Sequence, residues 1–170
     1  MPTQTISLRD QRYPALLKEI HDPPARIFVR GELPPPDALC VSVVGTRRMS
    51  AYGARVVQLL VPPLARAGAI IVSGLAFGVD AAAHEAALAA GGRTVAVLPG
   101  GIDDMSIVPR HHLGLAQNIA SNRGALLSEH PDKTQTHAGS FPVRNRIIAG
   151  LSRATLIVEA TSKSGTTLTA

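Results

Sequence analysis

Five short apolar runs constrain this chain more than any other feature. They fall at residues 39–44, 69–72, 94–98, 125–127 and 155–158, and Val, Ile, Leu and Ala dominate them. Continuous apolar character over so few residues fits strands covered on both faces of a parallel sheet. Helical stretches lie between. Residues 51–67 form one, with a bend or break expected at Pro62-Pro63. Residues 78–90 are very rich in Ala and stop at Gly91-Gly92. Residues 111–122 and 143–152 are the next two, and 166–170 read as the first turn of another. Strand alternating with helix predicts right-handed βαβ units and an α/β, doubly wound, mostly parallel sheet with helices on both faces.

The segment 1–36 has a different texture. It holds Tyr13-Pro14, a short helical pattern at Leu16, Leu17 and Ile20, an extended run at residues 26–31, and the stiff Pro34-Pro35-Pro36. We read it as a lead-in arm or subdomain with its linker, and 37–170 as the main domain. The chain stops at Ala170, at or just inside a helix, so the expectation is a fold whose C-terminal part is missing.

Among 170 residues there are 17 Lys and Arg against 12 Asp and Glu, a net charge of +5. That balance raises the prior for an anionic partner. One cysteine, Cys40, excludes an internal disulfide or a cysteine-based zinc site and reads as a buried strand thiol. Residues 1–10 lack the apolar core of a signal peptide, and no apolar stretch is long enough to span a bilayer. A cytoplasmic location with no membrane partner is the expectation.

In open α/β sheets, ligands bind outside the carboxyl ends of the strands. The residues after each apolar run therefore belong together: Gly45-Thr46-Arg47-Arg48, Ser73-Gly74 through Gly78, Pro99-Gly100-Gly101, Ser128-Glu129-His130, and Glu159 through Ser164-Gly165-Thr166. Glycines admit close backbone approach, helix N-termini favour anions, and hydroxyls and Arg47 suit phosphate oxygens. Each loop alone is ordinary turn chemistry; the set points to a phosphate-binding edge. No Walker loop or GxGxxG is present, so no nucleotide cofactor is specified.

A second feature is Phe141-Pro142-Val143-Arg144-Asn145-Arg146. Two arginines in a first helical turn oppose the helix dipole, and a bound polyanion would compensate. Pairing with Glu129 or Glu159 is the alternative, and one arginine can be structural. Phe141 either stacks on a base or plugs the core. Asp80 and His84 share a helix face, and the structural reading is preferred: Asp80 as a cap, His84 as its hydrogen-bond partner. Capping is likewise expected of Asp103-Asp104, and partial exposure of His111-His112. No metal set and no serine-nucleophile pattern emerges.

These stretches, with Val44-Gly45-Thr46-Arg47, Ser73-Gly74-Leu75-Ala76, Asp80, Ala83-His84 and Val158-Glu159-Ala160, resemble the DNA-processing protein A (DprA/Smf) family over nearly the whole chain. The resemblance implies an extended Rossmann-like fold and single-stranded DNA binding in natural transformation. It also implies loading of a RecA-type recombinase, a homodimer, and no cofactor or catalysis. By the family pattern Gly45, Thr46, Arg47, Ser73, Gly74, Phe141, Arg144, Asn145, Arg146, Ser164, Gly165 and Thr166 would line the DNA pocket. Val108-Pro109 departs from the family's usual Tyr-Pro. A helical N-terminal domain and a C-terminal winged helix have no counterpart here. Two alternatives share the fold: a nucleotide-binding sensor, and a nucleoside-monophosphate phosphoribohydrolase. For the latter, Pro99-Gly100-Gly101 lacks the following Gly-Thr and catalytic Glu.

Overall fold

The computed structural model describes residues 1–160. Its elements are β1 (Gln4–Ser7), α1 (Ala15–Lys18), β2 (Arg26–Gly31), β3 (Cys40–Gly45), α2 (Ala51–Arg66), β4 (Ile70–Ser73) and α3 (Val79–Ala89). They continue with β5 (Thr94–Val97), a 3-10 turn (Arg110–His112), α4 (Leu113–Ser121), β6 (Ala125–Ser128), α5 (Ser140–Gly150) and β7 (Ala154–Val158).

One sheet orders the strands β1-β2-β6-β5-β4-β3-β7. The five from β3 to β7 are parallel, as their uninterrupted apolar character requires. Side chains alternate across the sheet. Val44, Val72, Val97 and Leu127 face a cluster with Leu17, Ile147, Ile148 and Leu151 from α1 and α5. Val43 and Ile71 face Val57, Val61, Ala83 and Ala87 from α2 and α3. Ala96 and Leu126 pack with Ala116 and Ile119 of α4. The sheet is thus doubly wound, with helices on both faces.

The segment 1–36 contributes β1 and β2, added antiparallel beside β6. Tyr13 is fully buried in the α5-side cluster, and its hydroxyl donates to the Pro24 carbonyl at 2.8 Å. Cys40 is buried as its strand position predicts, and burial pushes its thiol up to about 11.

Two boundaries differ from the sequence reading. The α2 helix runs as one element with Pro62 and Pro63 inside it. The carbonyls that lose a donor belong to Gln58 and Leu59, both exposed residues, where water can replace the missing N–H. The α5 helix begins at Ser140, before Pro142 rather than after it. Pro142 is its third residue, a position whose N–H has no intrahelical acceptor in any helix.

The chain steps from β3 through β4 and β5 to β6, then crosses back so that β7 pairs with the other side of β3. This reversal is a topological switch point, and the crevice it opens lies beyond the carboxyl ends of β3 and β7.

Candidate functional site

Arg47 follows β3 directly at that switch point. Its side chain is exposed, and its guanidinium lies 4.8 Å from the centroid of the Phe141 ring in the first turn of α5. Stacking of this kind holds a cation in place without neutralising it. Among the described residues, neither Arg47 nor its exposed neighbour Arg48 is in a salt bridge.

Arg144 comes from the second turn of α5 and points inward. It is 6% exposed, and one terminal nitrogen donates to the carbonyls of Gly74 (2.8 Å) and Val97. Its Nε donates to Asn145 Oδ1 at 3.2 Å. Gly74 is glycine for this reason: a Cβ there would stand 2.2 Å from an Arg144 nitrogen. The N–H of Gly74 donates to Asp80 Oδ2 at 3.2 Å, and Ala76 N–H reaches that oxygen at 3.3 Å. One loop residue therefore bridges a buried carboxylate and a buried guanidinium. Burial pushes the Asp80 carboxyl above its usual range, with the Arg144 charge and the amides pulling back. Burial lowers Arg144 to about 10, which leaves it charged at neutral pH.

Arg146 leaves the helix on another side. One nitrogen meets both oxygens of Glu129 at 2.8 Å, and its Nε reaches Asp22 at 3.3 Å. Pairing with Glu129, one of the two readings open from sequence, is thus the arrangement adopted. The dipole argument also loses force, because the earlier helix start moves both arginines out of the first turn. Ser73 is fully buried, with its hydroxyl donating to the Val43 carbonyl at 2.7 Å. Gly45 admits β7 and α3, since a Cβ would lie 1.9 Å from the Val158 carbonyl oxygen. Thr46 Oγ1 accepts from Arg48 N–H at 3.2 Å. Ser164, Gly165 and Thr166 lie outside the described residues.

The N-terminus of α2 is where a doubly wound fold usually offers amides to a phosphate. Here it already holds an anion of the protein's own. Ser50 Oγ accepts the Gly53 N–H at 3.2 Å, and Glu159 Oε2 accepts the Ser50 N–H at 2.9 Å. In a capping box the second acceptor comes from the third helical residue. That residue is Gly53, whose Cβ would lie 2.3 Å from Glu159 Oε2, so the carboxylate enters from the end of β7 instead. Glu159 takes a left-handed backbone (φ 55) to do so.

Asp80 caps the loop before its helix but does not bond His84. His84 Nδ1 instead meets Thr94 Oγ1 at 2.6 Å, and Thr94 donates to the Ile71 carbonyl at 2.7 Å. Thr94 has one hydroxyl proton, so His84 carries its own on Nδ1, and the buried Nε2 lacks a partner. Asp80 reaches back toward free amides while His84 reaches the sheet; sharing a helix face did not make them meet. Burial, with His112 and Arg144 nearby, lowers His84 to about 3. His111 is exposed and His112 buried, the latter donating from Nδ1 to the Leu75 carbonyl at 2.8 Å. Asp103 caps its own turn, accepting from Met105 N–H, Ser106 Oγ and Lys133 N–H, and Asp104 pairs with Arg30.

The carboxylates of this region are thus engaged internally, while Arg47 and Arg48 present their charge outward beside an aromatic ring. Among the described residues no group of three or more His, Cys, Asp or Glu could hold a metal, and no helix is long and apolar enough to cross a membrane.

A family model described as DNA recombination-mediator protein A matches residues 4–170. DNA processing protein DprA of Bacillus subtilis is 43% identical over 167 residues, covering 98% of this chain and 55% of the relative. The X-ray structure of DprA from Streptococcus pneumoniae superposes with a TM-score of 0.91 at 38% identity, over 99% of this chain and 58% of that one. A structure of DNA processing protein A from Helicobacter pylori, concerned with its single-stranded DNA binding mode, gives 0.88 at 33% identity, over 99% and 74%. The chain spans about half the length of the curated relatives it matches.

Proposed function

Because the chain belongs to the DNA recombination-mediator protein A family, we propose that its switch-point rim binds single-stranded DNA in DNA processing. The observation that carries this reading is the exposed Arg47 guanidinium stacked on Phe141 at the mouth of the crevice. Arg47 and Arg48 meet phosphates, and Phe141 offers a face to an unpaired base. Gly45, Thr46 and Asn145 belong to the same rim, with Ser164, Gly165 and Thr166 as proposed partners on the following loop. Ser73, Gly74 and Arg144 act from below, shaping the rim. Arg146 steadies α5 through Glu129 and Asp22.

The reading is binding without catalysis. Asp103, the carboxylate nearest the Pro99-Gly100-Gly101 loop in sequence, is taken up by two donors of its own turn and by the Lys133 N–H. A mononucleotide sensor is disfavoured because Glu159 sits at the amide seat where its phosphate would go. On the family resemblance we also propose a cytoplasmic role in natural transformation, assistance in loading a RecA-type recombinase, and a homodimer.

A salt-titrated oligonucleotide assay tests the binding. With roughly three or four phosphates held, log K against log salt slopes by about −2 to −3 on single strands. Arg47→Ala weakens binding and flattens the slope by about 0.7. Equal affinity for blunt duplex, or release of ribose phosphate from a nucleoside monophosphate, would overturn the reading.

A further inference from the structure

Two tyrosines and three phenylalanines are the whole aromatic complement, and Trp is absent. Tyr13 is fully buried, and Phe28 packs partly buried against the α4-side cluster. Tyr52, Phe77 and Phe141 all lie where the chain leaves the parallel sheet and enters a helix: α2, α3 and α5. So the aromatic rings that the core does not need gather at one rim, the rim that carries Arg47.

Phe77 is the least explained of them. It is 47% exposed, yet its backbone is clamped on both sides. Ala76 before it donates to Asp80, and Gly78 after it lies so close to Thr46 that a Cβ would stand 2.3 Å from that carbonyl oxygen. Val79 N–H then donates to the same oxygen at 3.2 Å. The ring itself is braced edge-on by His112 at 4.9 Å and tilted against His111 at 6.3 Å. A large apolar ring held rigidly half in water gives up burial that the core could have used. It also needs no further ordering when a flat partner arrives.

The position fits a partner already at the rim. The Gly78 Cβ direction points at the Arg47 backbone, 2.8 Å from its carbonyl carbon, and the Arg47 guanidinium covers Phe141. Arg47 therefore adjoins both segments, its guanidinium on the Phe141 ring and its backbone against the Gly78 that follows Phe77. That arrangement suits a strand whose phosphates lie at the cation and whose bases turn to either side.

We propose that Phe77, backed by His111 and His112, is a second base-stacking platform, taking an unpaired nucleobase one step along the strand from that at Phe141. The proposal rests on the single-strand reading above. It deepens that reading by making the interface recognise bases as π-faces as well as phosphates.

Oligonucleotide binding of the 170-residue chain separates the two. Phe77→Ala weakens binding of a normal single strand about 5- to 30-fold with the salt slope unchanged, because no phosphate contact is lost. An abasic oligonucleotide keeps the phosphates and removes the bases; it binds wild type and Phe77→Ala alike. Phe77→Trp retains affinity and supplies a unique indole, whose fluorescence is quenched by the normal strand and not by the abasic one. Normal binding by Phe77→Ala, an equal loss on the abasic strand, or an unquenched indole overturns the platform while leaving the Arg47 interface standing. Failure of the wild-type chain to bind either strand overturns both.

Discussion

Beneath the carboxyl rim, Arg144 is 6% exposed and tied to the carbonyls of Gly74 and Val97; directly above, Arg47 is exposed and rests on Phe141. The two side chains are chemically identical and close enough for each to feel the other's charge. Their surroundings assign them different work. A guanidinium removed from water costs several kcal/mol, and only fixed acceptors and an opposite charge offset that cost. Asp80 and two carbonyls supply the offset for Arg144. Arg47 keeps its hydration and loses little until a phosphate replaces the water. On the proposed reading, the lower arginine shapes the rim and the upper one holds the strand.

The largest blow to this contrast falls below. Arg144→Ala strands the Asp80 carboxyl without its cation and lowers stability by about 3–5 kcal/mol, read from the urea midpoint. A loss under about 1 kcal/mol would mean that the buried pair is not structural. Acid is the next lever. His84 takes a proton near pH 6.5 when unfolded and only at about 3 when folded. The unfolded state therefore binds more protons across that window, so this group's contribution falls as pH drops from about 6.5 toward 3, by up to about 1.4 kcal/mol per unit. Asp80, raised by burial, works in the opposite sense in the acid range. Denaturation at pH 7 and pH 5 measures the net change, and His84→Asn should shrink it.

Above, the effects move from stability to affinity. Arg47→Ala changes stability by no more than about 0.5 kcal/mol, while binding of a single strand weakens about tenfold. A large stability loss with unchanged affinity would exchange the roles given to the two arginines. Arg146→Ala is smallest, removing a partly exposed network with Glu129 and Asp22 worth about 1 kcal/mol, with the salt slope intact.

The five parallel strands were legible because their apolar runs are uninterrupted, and the Ala-rich stretch before Gly91 announced α3 equally well. Arg47 was legible for a related reason, being the first charged residue after the first such run. The inward turn of Arg144 was not. It depends on the side chain Gly74 lacks and on Asp80, both distant in sequence, and the block Arg144-Asn145-Arg146 looks uniformly basic until those two are placed beneath it. A glycine on a strand-to-helix loop and an acid six residues later in the first turn of the helix were the available hint. Phe77 escaped notice because exposure cannot be read from residue type: a phenylalanine between strand and helix looks like core in the absence of coordinates.

The acceptor that completes the first turn of α2 is translated 109 residues after the amide it serves. On the ribosome, β3 and α2 emerge early, yet they wait for β7 both for a pairing edge and for a latch. A chain released before Glu159 would hold every residue of α2 and still leave that helix unfastened. The crevice thus takes this form only when β7 is threaded beside β3.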